Sequence, residues 1–543
     1  MYVTFTHAGV CPYKGLYEAY LHNRRDLLEC FTYNPWGAGA FAARARDLDR
    51  LDRRHWREAG KALEEYNRGL SAPGPALEAA ALLARGEALA VVTGQQAGFV
   101  GGPLLTLYKA LTAIKLARRL QSELGRPVVA VFWVASEDHD YAEISWLRFI
   151  DAFGRFRRLD LGSPASLRVP AGFLPVPPAA ESLMRELEAA LGPLSHGREL
   201  LDLVRDCLSS AESLAHSFAL LYSRLLGGEG LVMADPLFPG LRALALPVWR
   251  RTLELGTLPL RLLEQAGERL AAMGFKPGLD LEPGHALLFW HDGGERVALF
   301  WREGRLSDRG GSRSWTPEEL LDLAQASPGC ISSNVVTRAL LQDWLIPTLA
   351  EVVGPGGLAY MAQLKEVYAA FGRTQPVLFP RLSLTLLTRR EAAVMAQHGV
   401  GVAQVAAGLP AAVSDLVGAD EGVGLRKRFA LERRFVTERY RQLKEELQGI
   451  DPALGPLADA NLARVLHQIE YLEEKALQSH RRRYRSQAEE LRRLAETAWP
   501  LGRPQEQMLS ALPWLARGGT GLISAILELA PLTGENQIAY LDA

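Results

Sequence analysis

The segment Ala88-Leu-Ala-Val-Val-Thr-Gly-Gln-Gln-Ala-Gly-Phe-Val-Gly-Gly-Pro-Leu-Leu-Thr-Leu-Tyr-Lys109 decides the fold class. Its first part, Ala88 to Gly94, is a continuous apolar run ending in glycine, the pattern of a strand buried on both faces. From Pro103 to Leu120, the residues Leu107, Leu111, Ile114, Leu116 and Leu120 form a helical stripe, and Arg126-Pro-Val-Val-Ala-Val-Phe-Trp-Val-Ala-Ser136 is a second buried strand. Strand, loop, helix and strand make one βαβ unit, which predicts an α/β protein with a parallel-sheet core. Gly230-Leu-Val-Met-Ala-Asp-Pro236 and Gln375-Pro-Val-Leu-Phe-Pro-Arg381 extend the same sheet in this reading. Insertions must then interrupt the core.

Outward from this unit, residues 1–84 read as a helical lead-in, with Leu27, Leu28, Leu63 and Tyr66 at helical spacing among Arg and Glu. The core occupies 85–400, with insertions at about 151–229 and 275–330. In the first, Pro164, Pro170, Pro175, Pro177 and Pro178 break regular structure. In the second, His285 to Trp290 and Arg296 to Trp301 flank Asp292-Gly293-Gly294, the chemistry of a hairpin turn. Residues 401–500 read as an antiparallel coiled-coil hairpin. Phe429, Val436 and Leu443 are seven apart, as are Leu462, Ile469 and Ala476, and 449–456 supplies the turn. Leu477, Tyr484 and Leu491 keep the step with the seam displaced by one position. Residues 501–543 return to the core.

The 543 residues carry 61 Lys+Arg against 62 Asp+Glu, so no overall field draws the chain to nucleic acid or an anionic membrane. Hydrophobic residues at 48% and charged residues at 23% are ordinary for a folded soluble protein. No apolar stretch approaches the roughly 20 residues needed to span a bilayer, and the N-terminus lacks signal-peptide character. Cys11, Cys30, Cys207 and Cys330 are widely spaced, which predicts neither a disulfide scaffold nor a zinc site and fits a reducing, cytoplasmic setting.

Three constellations carry the candidate chemistry. The glycine-rich turn from Thr93 through Gly94, Gln95, Gln96 and Gly98 to Thr106 and Lys109 joins a strand end to a helix start, where backbone N–H groups receive anions. It is neither a P-loop nor a G-x-G-x-x-G turn, and a plain tight turn is the other reading. Glu137-Asp-His-Asp140 follows the next strand, so both loops face one crevice at the carboxyl ends of the sheet. His139 suits general acid–base chemistry, and the carboxylates suit Mg²⁺ or an ammonium group. Alternatively this is a solvated loop whose Asp caps a helix. The third runs from Asn334 through Arg338 to Asp343, followed by Gly354-Pro-Gly-Gly357 and Tyr360. Arg338 either clamps a carboxylate or phosphate or pairs with Asp343 or another structural acid. The basic run Arg481 to Arg485 reads as a solvated helix face.

Taken in order, Val-Val-Thr-Gly-Gln-Gln-Ala-Gly, Gly-Pro-Leu-x-Thr-x-x-Lys, Glu-Asp-His-Asp, Leu-Val-x-x-Asp-Pro, Asn-Val-x-x-Arg-x-x-x-Gln-Asp and Gly502-Arg-Pro-Gln-Glu-Gln507 resemble the cysteine-adding enzymes (cysteine ligases) of bacillithiol biosynthesis over nearly the whole chain. The resemblance implies a Rossmann-like, nucleotidyltransferase-like core and a homodimer supported by the coiled coil. It also implies amide formation between the cysteine carboxyl and the amine of glucosaminyl-malate. By analogy with class I synthetases it implies activation by ATP with Mg²⁺. Lys109 and Arg338 would neutralise charge developing in transfer and His139 would deprotonate the attacking amine. Glu137 and Asp140 would hold a substrate ammonium or a metal, and Asp138, Asn334, Asp343 and Tyr360 would complete the binding residues. Tyr108 stands where the family has His, Gly357 where it has an acid, and Ser333 and Ala339 where it has proline. Two other functions fit the residues: a metal-dependent nucleotidyltransferase or phosphoester hydrolase using Glu137 to Asp140, and a nucleotide-sensing dimeric scaffold.

Overall fold

The computed structural model describes residues 2–9, 11–163, 168–292, 294–407 and 423–542. Pro164, Gly293 and the side chains of Asp292, Arg481, Arg483, Tyr484 and Arg485, on which parts of the reading above fall, lie outside what is described. The described residues group into two compact units, 1–389 with 503–543, and 390–502.

The first unit is built on five parallel strands: β2 (Leu89–Gln95), β3 (Val128–Val134), β6 (Leu231–Ala234), β12 (Thr348–Val353) and β13 (Val377–Pro380), in the order β13-β12-β2-β3-β6. The expected run β2–β3 lies at its centre, and 230–236 and 375–381 join on either side. One strand of this sheet escaped the sequence reading: β12, which separates β2 from β13. Alternate residues enter two separate cores. Val91, Ala130, Phe132 and Met233 pack with the helices Leu104–Leu124 and Leu214–Leu226. Val92, Val131, Trp133 and Val232 pack with Leu63, Leu83 and Leu340 on the opposite face. Burial on both faces is why these strands read as unbroken apolar runs. The outer edge of β6 is closed by Asn67, whose amide donates to the Met233 carbonyl and accepts from its N–H, at 2.8 and 2.9 Å.

The insertions have their own sheets. β4 (Trp146–Ile150) and β5 (Phe156–Asp160) form a hairpin. An antiparallel meander follows from β7 (His285–Asp292), β8 (Glu295–Arg302), β9 (Arg305–Ser307) and β10 (Ser314–Trp315), with β11 (Ile331–Ser333) on the other side of β7. The lead-in is not purely helical. Its first residues form β1 (Tyr2–His7), which pairs antiparallel with β15 (Asn536–Asp542), itself parallel to β14 (Ser383–Thr388). The two chain ends therefore share one sheet.

The motif around Gly502 to Gln507 is a buried polar clamp. Glu506 is fully buried and binds Arg381 through both carboxylate oxygens, at 2.8 and 2.9 Å. It also accepts from Ser383 Oγ, the Leu384 N–H and Tyr13. Gln505 completes the clamp by bonding both backbone groups of Leu386, at 2.8 Å each.

The second unit contains the antiparallel helices Val423–Ile450 and Leu454–Ala498. The turn is tighter than 449–456, because the second helix starts at Leu454 and Pro456 sits in its first turn, where proline is tolerated. Phe429, Val436, Leu462, Ile469 and Ala476 are half-buried, but Leu443 is 45% exposed and the seam passes through Lys444 and Leu447. A strict seven-residue step drifts about 20° per heptad round a straight helix, which carries Leu443 off the seam.

Glu506→Ala should leave Arg381 buried without a counter-charge and destabilise the first unit by about 3–5 kcal/mol. Urea unfolding followed by tryptophan fluorescence checks this; an unchanged midpoint would contradict it.

Candidate active site

Parallel pairing sets Thr93 opposite Phe132 and Gly94 opposite Trp133, so the loops after β2 and β3 emerge side by side. With the end of β12 they border a cavity of about 530 Å³. Its wall includes Gly94, Gln95 and Gln96 from the end of β2 and its loop, Lys109 from the following helix, and Glu137, Asp138 and His139 from the loop after β3. Asn334, Arg338, Glu351, Gly357 and Tyr360 come from the third constellation and β12, and His285, Phe289 and Arg296 from the meander.

The floor is a cluster of charged groups, with Glu351 buried and Lys109 and Arg338 half-buried. Lys109 reaches back along its helix to donate to the Gly94 carbonyl at 2.7 Å and to Gln95 Oε1 at 2.8 Å. Burial, reinforced by Arg381 and Arg338, brings its pKa down to about 7. Arg338 donates to Gln342 Oε1 at 3.3 Å and to the Tyr360 hydroxyl. Glu351, 4% exposed, lies in the field of both cations. Burial nevertheless pushes its carboxyl up, and its Oε2 has no hydrogen-bond partner. Asn334 uses its Oδ1 to cap the helix Val335–Leu345, which leaves its Nδ2 buried without a partner.

The rim is organised by Arg296. Its guanidinium lies 3.9 Å over the Phe289 ring, donates to Ser332 Oγ and the Ser333 carbonyl, and approaches His139 Nδ1 at 3.2 Å. A guanidinium only donates, so Nδ1 is the acceptor and the neutral imidazole carries its proton on Nε2. Burial, then the Arg296 charge, lowers the His139 pKa. The ring is thus a neutral donor, which runs against the base role expected for it. Glu137 is committed as well: it pairs with Arg242 at 3.3 Å and accepts from Ser333 Oγ at 2.7 Å. It anchors the loop and has little capacity left for an ammonium or a metal. Asp138 accepts the His139 N–H at 2.8 Å and keeps its other oxygen near Gln96, at 3.4 Å. Asp140 is exposed and does not line the cavity. Among the described residues, no three of His, Cys, Asp and Glu are grouped so as to share a metal ion.

Besides Asp140, four expected residues lie elsewhere. Thr93 is buried and donates to the Val352 carbonyl, tying β2 to β12. Gly98 packs against Gly102, where a Cβ would come within 2.7 Å of the Gly102 Cα. Thr106 is buried beside Tyr222, and the N–H of Leu104 is taken by the Leu509 carbonyl, so the helix start faces protein and not the cavity. Asp343 is fully buried between Arg44 and Arg373, and Arg338 does not pair with it. Tyr108 is also buried and away from the cavity. The sequence reading missed Arg296 and Glu351. Glu351 did leave a signal, as the lone charge in the apolar run Ile346 to Val353.

Arg296→Met should raise the His139 pKa, with burial still holding it below that of a free imidazole. Titration of the ¹⁵N-labelled imidazole by NMR reads this directly, and an unmoved midpoint would show that Arg296 does not set its state.

The comparisons with known proteins agree with this architecture. Residues 3–382 match the model for "Bacillithiol biosynthesis BshC, N-terminal Rossmann-like domain", and residues 384–541 match "Bacillithiol biosynthesis BshC, C-terminal coiled-coil domain". Curated relatives carry the name "Putative cysteine ligase BshC". That of Heliobacterium modesticaldum is 35% identical over 95% of this chain and 96% of its own. That of Desulforamulus reducens is 30% identical over 98% of each, and that of Symbiobacterium thermophilum 34% over 87% of each. With both domains matched in order and relatives aligned almost end to end, the chain belongs to the bacillithiol-biosynthesis BshC family.

Proposed function

We propose that this chain is a cysteine ligase that joins the carboxyl group of L-cysteine to the amine of glucosaminyl-malate. The single observation that carries this reading is the cavity floor, where Lys109 and Arg338 line a space of about 530 Å³. The half-buried Arg338 guanidinium, and Lys109 when protonated, favour a carboxylate and the negative charge that grows on its oxygens as an amine attacks. The His139 Nε2–H adds a neutral donor on the rim. Arg296, Asp138 and Ser333 hold that ring and its loop in place.

Amide formation from a free carboxylate releases water and is unfavourable in water without an activating group. The residues present suit the phosphates of a nucleotide: Lys109 and Arg338 line the cavity and can take phosphate oxygens. Asp138 can offer oxygen to Mg²⁺, which is usually held by one or two carboxylates together with phosphates. When bound, the nucleotide supplies the phosphoanhydride that makes the carboxylate an acylating agent. The metal-dependent hydrolase reading has less support, since the Glu137 oxygens are occupied by Arg242 and Ser333 and Asp140 faces solvent.

The coiled-coil hairpin supports a homodimer in this proposal. It leaves Leu431, Phe435, Leu457 and Leu472 at least 60% exposed, an apolar surface that a second copy would cover. A cytoplasmic location fits four free cysteines and the lack, among the described residues, of any helix long and apolar enough to cross a membrane.

Incubation with cysteine, glucosaminyl-malate and ATP should yield the cysteinyl product together with AMP or ADP, followed by mass spectrometry. Product without nucleotide consumption would remove the activation step, and absence of product under these conditions would remove the ligase reading. Sedimentation should give a dimer that Phe435→Glu with Leu472→Glu converts to monomer; a wild-type monomer would contradict the assembly.

A further inference from the structure

Glu351 stands out among the buried groups that the ligase reading leaves unused. It lies on β12 at the floor of the cavity, 4% exposed, with Oε2 unpartnered. Buried carboxylate oxygens without a partner are rare, because each forfeits the hydrogen bonds it made to water. Asn334 Nδ2 is a second unsatisfied atom on the same cavity wall, and it is a donor. Arg338 and Lys109 add two cationic donors close by. The floor therefore presents a carboxyl group that receives a side-chain hydrogen bond from Gln342 and keeps Oε2 without one, beside several donors. Its complement is a small ligand that brings an N–H cation and a carboxylate together, as an α-amino acid zwitterion does.

We propose that Glu351 is the specificity residue that receives the α-ammonium group of the amino-acid substrate, while Arg338, Lys109 and Asn334 receive its carboxylate. This rests on the ligase reading and deepens it by placing the amino acid on the floor and the larger amine-bearing acceptor toward the rim, near His139 and Arg296. The placement solves a chemical problem of the reaction. An activated cysteine carries its own amine, which would attack a second activated molecule. A carboxylate hydrogen-bonded to that nitrogen keeps it as an ammonium, with no lone pair to donate. The only amine left to react is the acceptor's. Burial that disfavours an isolated Glu351 carboxylate points the same way, because an arriving ammonium restores the charged form.

The test compares cysteine with 3-mercaptopropionate, which keeps the thiol and carboxylate but has no amine. Calorimetry on the full-length wild type should show cysteine binding roughly 100-fold more tightly, the scale expected when a charged hydrogen-bonding group loses its partner. Glu351→Gln keeps the shape of the side chain and should cut that ratio to within about 10-fold by weakening cysteine alone. Equal binding of the two thiols by the wild type would overturn the proposal without any variant, and so would a Glu351→Gln protein that keeps the full ratio. These binding outcomes are separate from the product assay, so a failure of ligase activity and a failure of the Glu351 assignment are told apart.

Discussion

The parallel pairing of β12 and β3 on either side of β2 is the constraint on which the rest of the molecule depends. It sets Glu351 opposite Val92 and Val92 opposite Val131, so three strand ends open at one level. Parallel strands bury both faces and need helices on each side, which is why the cores above and below the sheet are separate. Between those layers, the crevice at the carboxyl ends is where polar side chains from distant segments can meet without entering either core.

What meets there is costly in isolation. Glu351 is buried and Lys109 and Arg338 are half-buried, and the shifts of Lys109 and Glu351 run toward their neutral forms. Each charge is tolerable because the others are close and because Gly94, Gln95 and Tyr360 satisfy several of the donors. A site of this kind is preorganised for a ligand carrying both signs of charge. The buried pairs Arg381–Glu506 and Arg44–Asp343–Arg373 use the same chemistry differently, because their oxygens and nitrogens are matched within the protein and lie off the cavity.

The difference between these two uses explains which parts of the site could be read in advance. Lys109 was legible because it follows a glycine-rich turn on the first turns of a helix that must lean over the strand end. Asp343 was misplaced although it shares a helix with Arg338. Five residues at 100° each put the two about 140° apart, on different sides of the helix, so motif membership says nothing about direction. Thr93 failed for a similar reason: next to Gly94 on a strand, its side chain points into the layers while the following backbone reaches the crevice. Glu137 and His139 were found as polar residues at a strand end, but their states depend on Arg242 and Arg296, 105 and 157 residues away.

By itself the sequence determined the βαβ unit, the parallel sheet and the antiparallel hairpin, since periodicity and burial pattern are local properties. It also determined the family, since several motifs in order carry more information than any one of them. Only the tertiary structure decided that Glu351 faces the cavity with an oxygen unpaired, that Arg296 fixes the His139 tautomer, and that the Leu104 helix start is sealed by Leu509. Those are facts of long-range packing and hydrogen-bond satisfaction, and no spacing along the chain encodes which polar atoms will be left for a ligand.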